Sequence, residues 1–172
     1  MEKHGGCHNS HQQKPVEPQW CNVLNPYPRK SYPARILWHA GTVIKILNIY
    51  APNNVKENES FWEELNTITS NDQSLKPDIM LGDFNIVKDS LDRLPRHPNN
   101  PNTIAALGEL KCNLDLVDGW RCTYPDKWEY SHHHTPNSSL GRIDRIYVGC
   151  DPLNGPLMIK LIPNGIQYFC LS

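Results

Sequence analysis

The sequence predicts a single α/β domain with a mixed β-sheet, and three observations carry that prediction. Runs rich in β-branched and apolar residues, "ILWHAGTVIKILNIY" and "IMLGDFN", have the texture of strands. Two other stretches, "KENESFWEELNTITS" and "PNTIAALGELKCNL", repeat apolar residues three and four apart, the period of an amphipathic helix. Strand, helix, strand, helix and then paired strands is the order of an α/β fold, and 172 residues suit about one domain.

Residues 1–33 are polar, rich in His, Gln, Asn and Pro, without helical or strand period, and are expected to be an irregular segment. The domain is expected over residues 34–162, with a C-terminal tail at 163–172. Its first strands form a hairpin around Gly41-Thr42, the second strand running near Thr42–Tyr50 and stopping at "APNN". Apolar residues Phe61, Trp62, Leu65 and Ile68 then mark a helix whose first turn is acidic. The loop "NDQSLKPD" leads to the strand that ends in "GDFN". A second helix shows Ile104, Leu107 and Leu110 on one side. "DLVDGW" is a short strand or turn, and "KWEYSHHH" and "GRIDRIYVGC" are two strands joined by "TPNSSL".

The net charge of −1 and a pI near 6.7 give no global electrostatic case for nucleic acid, though they leave room for a local basic groove. Six cysteines (7, 21, 112, 122, 150 and 170) form no C-x-x-C pair, and those from Cys112 onward sit in or beside apolar segments. They are expected to be reduced and to behave as small hydrophobes. The N-terminus has no apolar stretch of the secretory kind, and no run approaches the ~18 apolar residues of a membrane span. The expected setting is therefore soluble and intracellular, nucleus or cytoplasm, with no membrane partner.

Three segments carry candidate chemistry. Asp83 and Asn85 are two apart, so they share a face at the carboxyl end of their strand, where α/β sheets place ligand sites. An ionised Asp accepts hydrogen bonds and can orient a water, and an Asn amide can donate to a phosphate oxygen. Asp-Phe-Asn is equally a turn-forming cluster. In "GRIDRIYV", alternation puts Arg142, Asp144, Ile146 and Val148 on one face, and the buried acid Asp144 calls for a partner such as Arg142, Arg145 or a histidine. An ordinary strand salt bridge would satisfy the same pattern. Tyr50 in "NIYAPN" ends an apolar strand, either as a core tyrosine or with its phenol on a polar partner.

In order, "LNIYAPN", "LGDFNIV", "LDRLP", "LVDGWR" and "RIDRIYV" resemble the endonuclease/exonuclease/phosphatase (DNase-like) superfamily, and in particular the endonuclease domains of fungal LINE-type retrotransposons. The resemblance covers about residues 36–148 and implies an α/β sandwich of mixed β-sheets flanked by helices. It implies a metal-dependent phosphodiesterase that nicks DNA with Mg2+. In that scheme Asp83 orients the attacking water, Asn85 holds the scissile phosphate, Asp144 orients a catalytic histidine and Tyr50 sits at the phosphate. Positioning a water in line and neutralising phosphoryl oxygens is the work such chemistry needs.

The resemblance also implies parts without a counterpart in these residues. The family's Gln-Glu-Thr segment, whose glutamate binds the metal, is not matched; Glu2 and Glu17 are the acids before Asn48. Nor is the closing Ser-Asp-His, since no Asp or His follows Asp151. The expectation is a partial domain, weakly hydrolytic or inactive, with its metal ligands unassigned. The alternatives are a non-catalytic remnant or a nucleic-acid- or protein-binding module, self-associating through exposed sheet edges. His132, His133 and His134 could reach a metal or simply enter a solvated loop. His4, Cys7, His8, His11 and Cys21 lack the paired spacing of a zinc site. Asp92 and Arg93 of "LDRLP" suit a substrate edge or a surface ion pair, and Trp120 and Trp128 are expected in the core.

Overall fold

Alternation along residues 43–50 decides how the central strand faces. Leu47 and Ile49 are buried while Asn48 and Tyr50 are exposed, the period of two of a strand with one face on a core. The chain, seen in a computed structural model, is described at residues 28, 30–37, 41–97, 99–134, 138–151, 155–156, 158–162 and 165–169. This strand, β2 (Val43–Tyr50), pairs antiparallel with β1 (Ser31–Leu37), the predicted hairpin, and parallel with β3 (Ile79–Asp83). A parallel neighbour requires a crossover, and α1 (Val55–Asn71) supplies it. Asn54 caps α1, its side-chain oxygen accepting from the N–H groups of Lys56 and Glu57.

β3 pairs antiparallel with β8 (Asp144–Asp151), which pairs with β5 (Leu116–Asp118), so the main sheet runs β1-β2-β3-β8-β5, with β9 (Gly155–Pro156) beside β8. A second, three-stranded sheet runs β4 (Arg93–Leu94), β7 (Ser139–Gly141), β6 (His132–His134). Met158–Ile162 (β10) and Gly165–Phe169 (β11) form a separate antiparallel pair. β1 thus takes in residues 31–33 of the expected irregular segment, and β11 lies within the expected tail. Of "KWEYSHHH" only the three histidines are strand, and the chain changes sheets at Arg142-Ile143, between β7 and β8.

One face of the main sheet holds the core. Leu47, Ile49, Met80, Leu116 and Tyr147 meet Phe61, Trp62 and Leu65 of α1 and Leu107, Leu110 and Leu114 of α2 (Pro101–Leu114). The opposite face carries Ile79 and Val148 with Ile44, Ile46, Leu81, Val117 and Ile146 only partly buried. At the β1 edge, Tyr50 N–H donates to Lys30 C=O. Antiparallel pairing alternates, so residues 31, 33, 35 and 37 turn their backbone groups outward. Pro33 falls on that outer rim and brings no N–H, which blunts the edge against further strands.

Three expectations change here. Cys112 and Cys122 are exposed rather than packed, because their helix positions face away from the core. Trp128 is 53% exposed, with the Arg96 guanidinium 4.8 Å from its ring centre, whereas Trp120, on the short helix α3 (Gly119–Thr123), is buried. Asp92 is 1% exposed, not a surface acid, and its partners are not Arg93.

Candidate active site

Strand register assembles the site. Tyr50 lies opposite Asp83 across β2–β3, and Asp83 lies opposite Asp144 across β3–β8. Cross-strand partners share a face, so Tyr50, Asp83 and Asp144 form one row over three adjacent strands. The row sits on the face away from α1 and α2, at the carboxyl ends of β2 and β3. Tyr50 is half exposed, with the Lys30 ammonium 5.5 Å from its ring centre, so it is not a core tyrosine.

Phe84 explains why Asp83 and Asn85 turn outward. It is fully buried, stacked on Trp62 at 5.3 Å and edge-on to Tyr147 at 5.1 Å. Anchored there, the residues on either side project to the surface. Gly82 makes the approach possible. Its φ is +126°, and a Cβ would sit 2.1 Å from the Ile49 carbonyl oxygen, so a side chain could fit only by parting β2 from β3.

The turn and the site are the same geometry. Asn85 N–H donates to Asp83 Oδ1 at 2.9 Å, an Asx turn, and Asn85 is left-handed at φ +48°. Its side-chain Nδ2 donates to Ala51 C=O at 2.7 Å, while Ala51 N–H donates to Asp83 C=O at 2.8 Å. The segments after β2 and β3 are thereby laced together, leaving the Asn85 Oδ1 and second N–H for other partners.

Burial pushes the Asp83 carboxyl above the ordinary carboxylate range. The Asn85 N–H opposes that, the Asp144 charge adds to it and His132 offsets part of it. His132 is near because Ser131 Oγ accepts from the N–H groups of Ile143 and Asp144 at 3.1 and 3.0 Å. Of the histidine run, His132 is the member that acts electrostatically on Asp83.

Asp144 is exposed rather than buried, so it needs no buried partner, and no ion pair joins it to the arginines beside it. Arg142 and Arg145 turn to Asp92 and Asp118, with Arg121 also on Asp92, forming a buried cluster of three guanidiniums and two carboxylates. Arg142 departs from simple alternation because it precedes β8, at the sheet change. Burial raises the carboxyls of Asp92 and Asp118, but the Arg142 hydrogen bonds and the neighbouring guanidinium charges outweigh it and hold both below the usual range. The Arg121 and Arg142 guanidiniums both lie over the Trp120 ring, 5.0 and 4.9 Å from its centre. This cluster welds the β4, β5 and β8 ends beside the site. A cavity of about 290 Å³ opens next to it, lined by Gly82, Trp120, Ser131, Arg142, Asp144 and Ile146 among others.

Lys111 is a further perturbed group. Burial and the adjacent Lys88 pull its amine down to about 8, and it sits 4.6 Å from the Tyr147 ring centre. Among the described residues no three His, Cys, Asp or Glu side chains converge as metal donors. His4, Cys7, His8, His11 and Cys21 lie outside the described residues, as do Glu2 and Glu17. No helix among the described residues is long and apolar enough to cross a membrane.

Comparisons with known proteins bear on the family and the fold. Residues 13–151 match the sequence pattern of the Endonuclease/Exonuclease/phosphatase family. The Transposon TX1 uncharacterized 149 kDa protein of Xenopus laevis is 31% identical over 112 residues, 63% of this chain. The chain spans only about 8% of that relative's length. Among solved structures, the catalytic domain of Xenopus laevis APE2 superposes with a TM-score of 0.55 at 15% identity, over 82% of this chain and 54% of that one. A humanized D. rerio TDP2 carrying 14 mutations superposes at 0.50 and 15% identity, over 76% and 49%. At these identities the superpositions speak for the fold, two sheets flanked by helices.

Proposed function

The chain belongs to the Endonuclease/Exonuclease/phosphatase family, and from that premise we propose that it is a nuclease-type phosphodiesterase domain of retrotransposon origin, acting on DNA. The observation that carries the proposal is the row Tyr50–Asp83–Asp144 with Asn85 laced beside it. The transposon-encoded relative supports the origin.

The chemistry asked of these residues is positional. Asp83, an acceptor at the strand end, would orient a water toward phosphorus. Asn85, already fixed by Ala51, would donate its remaining N–H to a non-bridging phosphoryl oxygen, and the half-exposed Tyr50 hydroxyl would do the same from the next strand. His132 flanks the row near its Asp144 end, placed to balance the Asp83 charge. Magnesium, which the family resemblance implies, would need oxygen donors. The described residues offer Asp83 and Asp144, with no third His, Cys, Asp or Glu side chain converging with them. They do not by themselves compose a metal site, and the roles above stand on the protein's own atoms. The Asn85 amide and the Tyr50 hydroxyl, donors suited to a phosphate in their own right, favour a second reading, a phosphate-binding module that holds nucleic acid without cutting it.

Supercoiled-plasmid nicking with magnesium separates the two. Nicking by the full chain that falls by about 10²–10⁴ in Asp83→Ala is the expected result for an oriented-water role. Absent nicking, with oligonucleotide binding that weakens in Asn85→Ala, would instead establish the binding module.

A further inference from the structure

One buried polar side chain joins the two site segments and has no part in the chemistry above. Asn58 lies on the first turn of α1, on its core-facing side, and is 2% exposed. Its Nδ2 donates to Pro52 C=O at 2.8 Å and to Phe84 C=O at 3.0 Å, using both N–H groups of the amide. Its Oδ1 accepts from Trp62 Nε1 at 2.5 Å. Pro52 is two residues past Tyr50, and Phe84 stands between Asp83 and Asn85. A buried amide is costly unless its bonds are made; here each N–H spans to a different segment of the site.

Resting on the hydrolytic reading, we propose that Asn58 is a positioning residue that sets the spacing between the Tyr50 segment and the Asp83–Asn85 turn, and so the aim of the Asn85 amide. The other links, Ala51 N–H to Asp83 C=O and Asn85 Nδ2 to Ala51 C=O, run from one segment to the other and would shift with them. Asn58 ties both to a helix. The helix is itself fixed by Trp62, which stacks on Phe84 and donates its indole N–H to the Asn58 oxygen. A carbonyl on each segment is thus referred to one rigid amide plane. Near-attack geometry tolerates little error, a displacement of about 1 Å costing on the order of 10²-fold.

The test compares Asn58→Leu, which removes both donors at similar volume, with Leu65→Ala, which loosens the same core face of α1 but leaves the two carbonyl bonds and the Trp62–Phe84 stack. Asn58→Asp, which keeps the size and the acceptor for Trp62, takes the place of the leucine variant if that does not fold. Two readouts are taken at a temperature where every variant is folded: plasmid nicking, separated into kcat and KM, and NMR hydrogen exchange of the Asn85 side-chain amide. In the Asn58 variants kcat falls by about 10–100-fold with KM changed less than about two-fold, and Asn85 side-chain exchange speeds up by about ten-fold or more. Leu65→Ala leaves both close to wild type even where its Tm falls as far. Readouts that simply track Tm across the variants, or unchanged Asn85 exchange in the Asn58 variants, would overturn the proposal. If the wild-type chain does not nick DNA, the hydrolytic reading fails, and the exchange measurement alone decides the positioning role.

Discussion

Asp92→Asn is the sharpest test of the electrostatic frame beside the site. In the native cluster three guanidiniums face two carboxylates, and Asp92 serves all three: Arg142 through Nε and Nη2 at 2.9 and 3.0 Å, Arg145 through Nη2 at 3.1 Å, and Arg121 through Nη2. Side-chain exposures of 1% for Asp92 and Arg145 and 6% for Arg142 mean that water cannot replace the lost charge. The substitution keeps the shape and one acceptor oxygen but leaves Arg142 and Arg145 with Asp118 as their one carboxylate and Arg121 with none. Breaking a buried pair from one side costs about 3–5 kcal/mol, a large part of the ~5–15 kcal/mol that holds a typical domain together.

The sign with pH follows from the shifts. The folded Asp92 and Asp118 carboxyls lie below their unfolded values. Their contribution is therefore present above the ordinary carboxylate pKa of ~3.9 and is lost as pH falls through the lowered folded values. Urea unfolding at pH 7 and across the acid range measures both effects; guanidinium chloride would screen the cluster it is meant to probe. Asp92→Asn should lose about 3–5 kcal/mol at pH 7 and show a shallower decline in acid than the native chain. Adding Arg121→Met should restore part of the loss by removing one unpaired cation. A cost below about 1 kcal/mol at pH 7, the range of an exposed pair, would refute the buried-cluster account.

Gly82→Ala should cost about 3–5 kcal/mol, combining positive-φ strain with overpacking, because the added carbon would meet the Ile49 carbonyl; chemical denaturation checks it, and a near-neutral change would mean β2 and β3 separate easily. Asp83→Asn should abolish nicking yet raise stability at pH 7 by about 0.5–2 kcal/mol, since the raised Asp83 carboxyl faces Asp144 and Asn can still accept the Asn85 N–H; paired nicking and thermal unfolding test it. Lys111, held at about 8 against ~10.4 unfolded, is bare in the folded chain and protonated in the unfolded one between those values, so stability should rise with pH across that window. Lys111→Met should flatten the rise and raise Tm at pH 7.

What the sequence made legible is what depends on local period. The helix patterns at Phe61, Trp62 and Leu65 and at Leu107 and Leu110 face the core as their spacing requires. The two-residue separation of Asp83 and Asn85 puts them out on either side of Phe84. The ion cluster was not legible, because its bonds join residues 24 to 53 positions apart, and no local period encodes such pairings. An acid in "LDRLP" gives no sign that it will be buried. Asn58 did leave a signal: residues 58, 61, 62, 65 and 69 are all buried on α1. A polar residue on a core stripe must find partners inside the protein, and that expectation alone points to the segments it holds.

The turn reading and the functional reading of "GDFN" are not rivals in this fold. The Asx bond from Asn85 to Asp83 is what turn chemistry demands, and it spends one lone pair of Oδ1 on a backbone N–H. The left-handed Asn85 then throws its side chain back onto Ala51, across to the strand that carries Tyr50. A turn built only to end β3 would need neither the positive-φ Gly82 pressed on Ile49 nor an asparagine of α1 bonded to Phe84. Both features lie where β3's end meets β2's, and both bear on the spacing of Tyr50, Asp83 and Asn85. Turn propensity accounts for the residues at this bend; the positive-φ glycine and the buried amide that hold it against its neighbour are what the proposed phosphodiesterase site asks for.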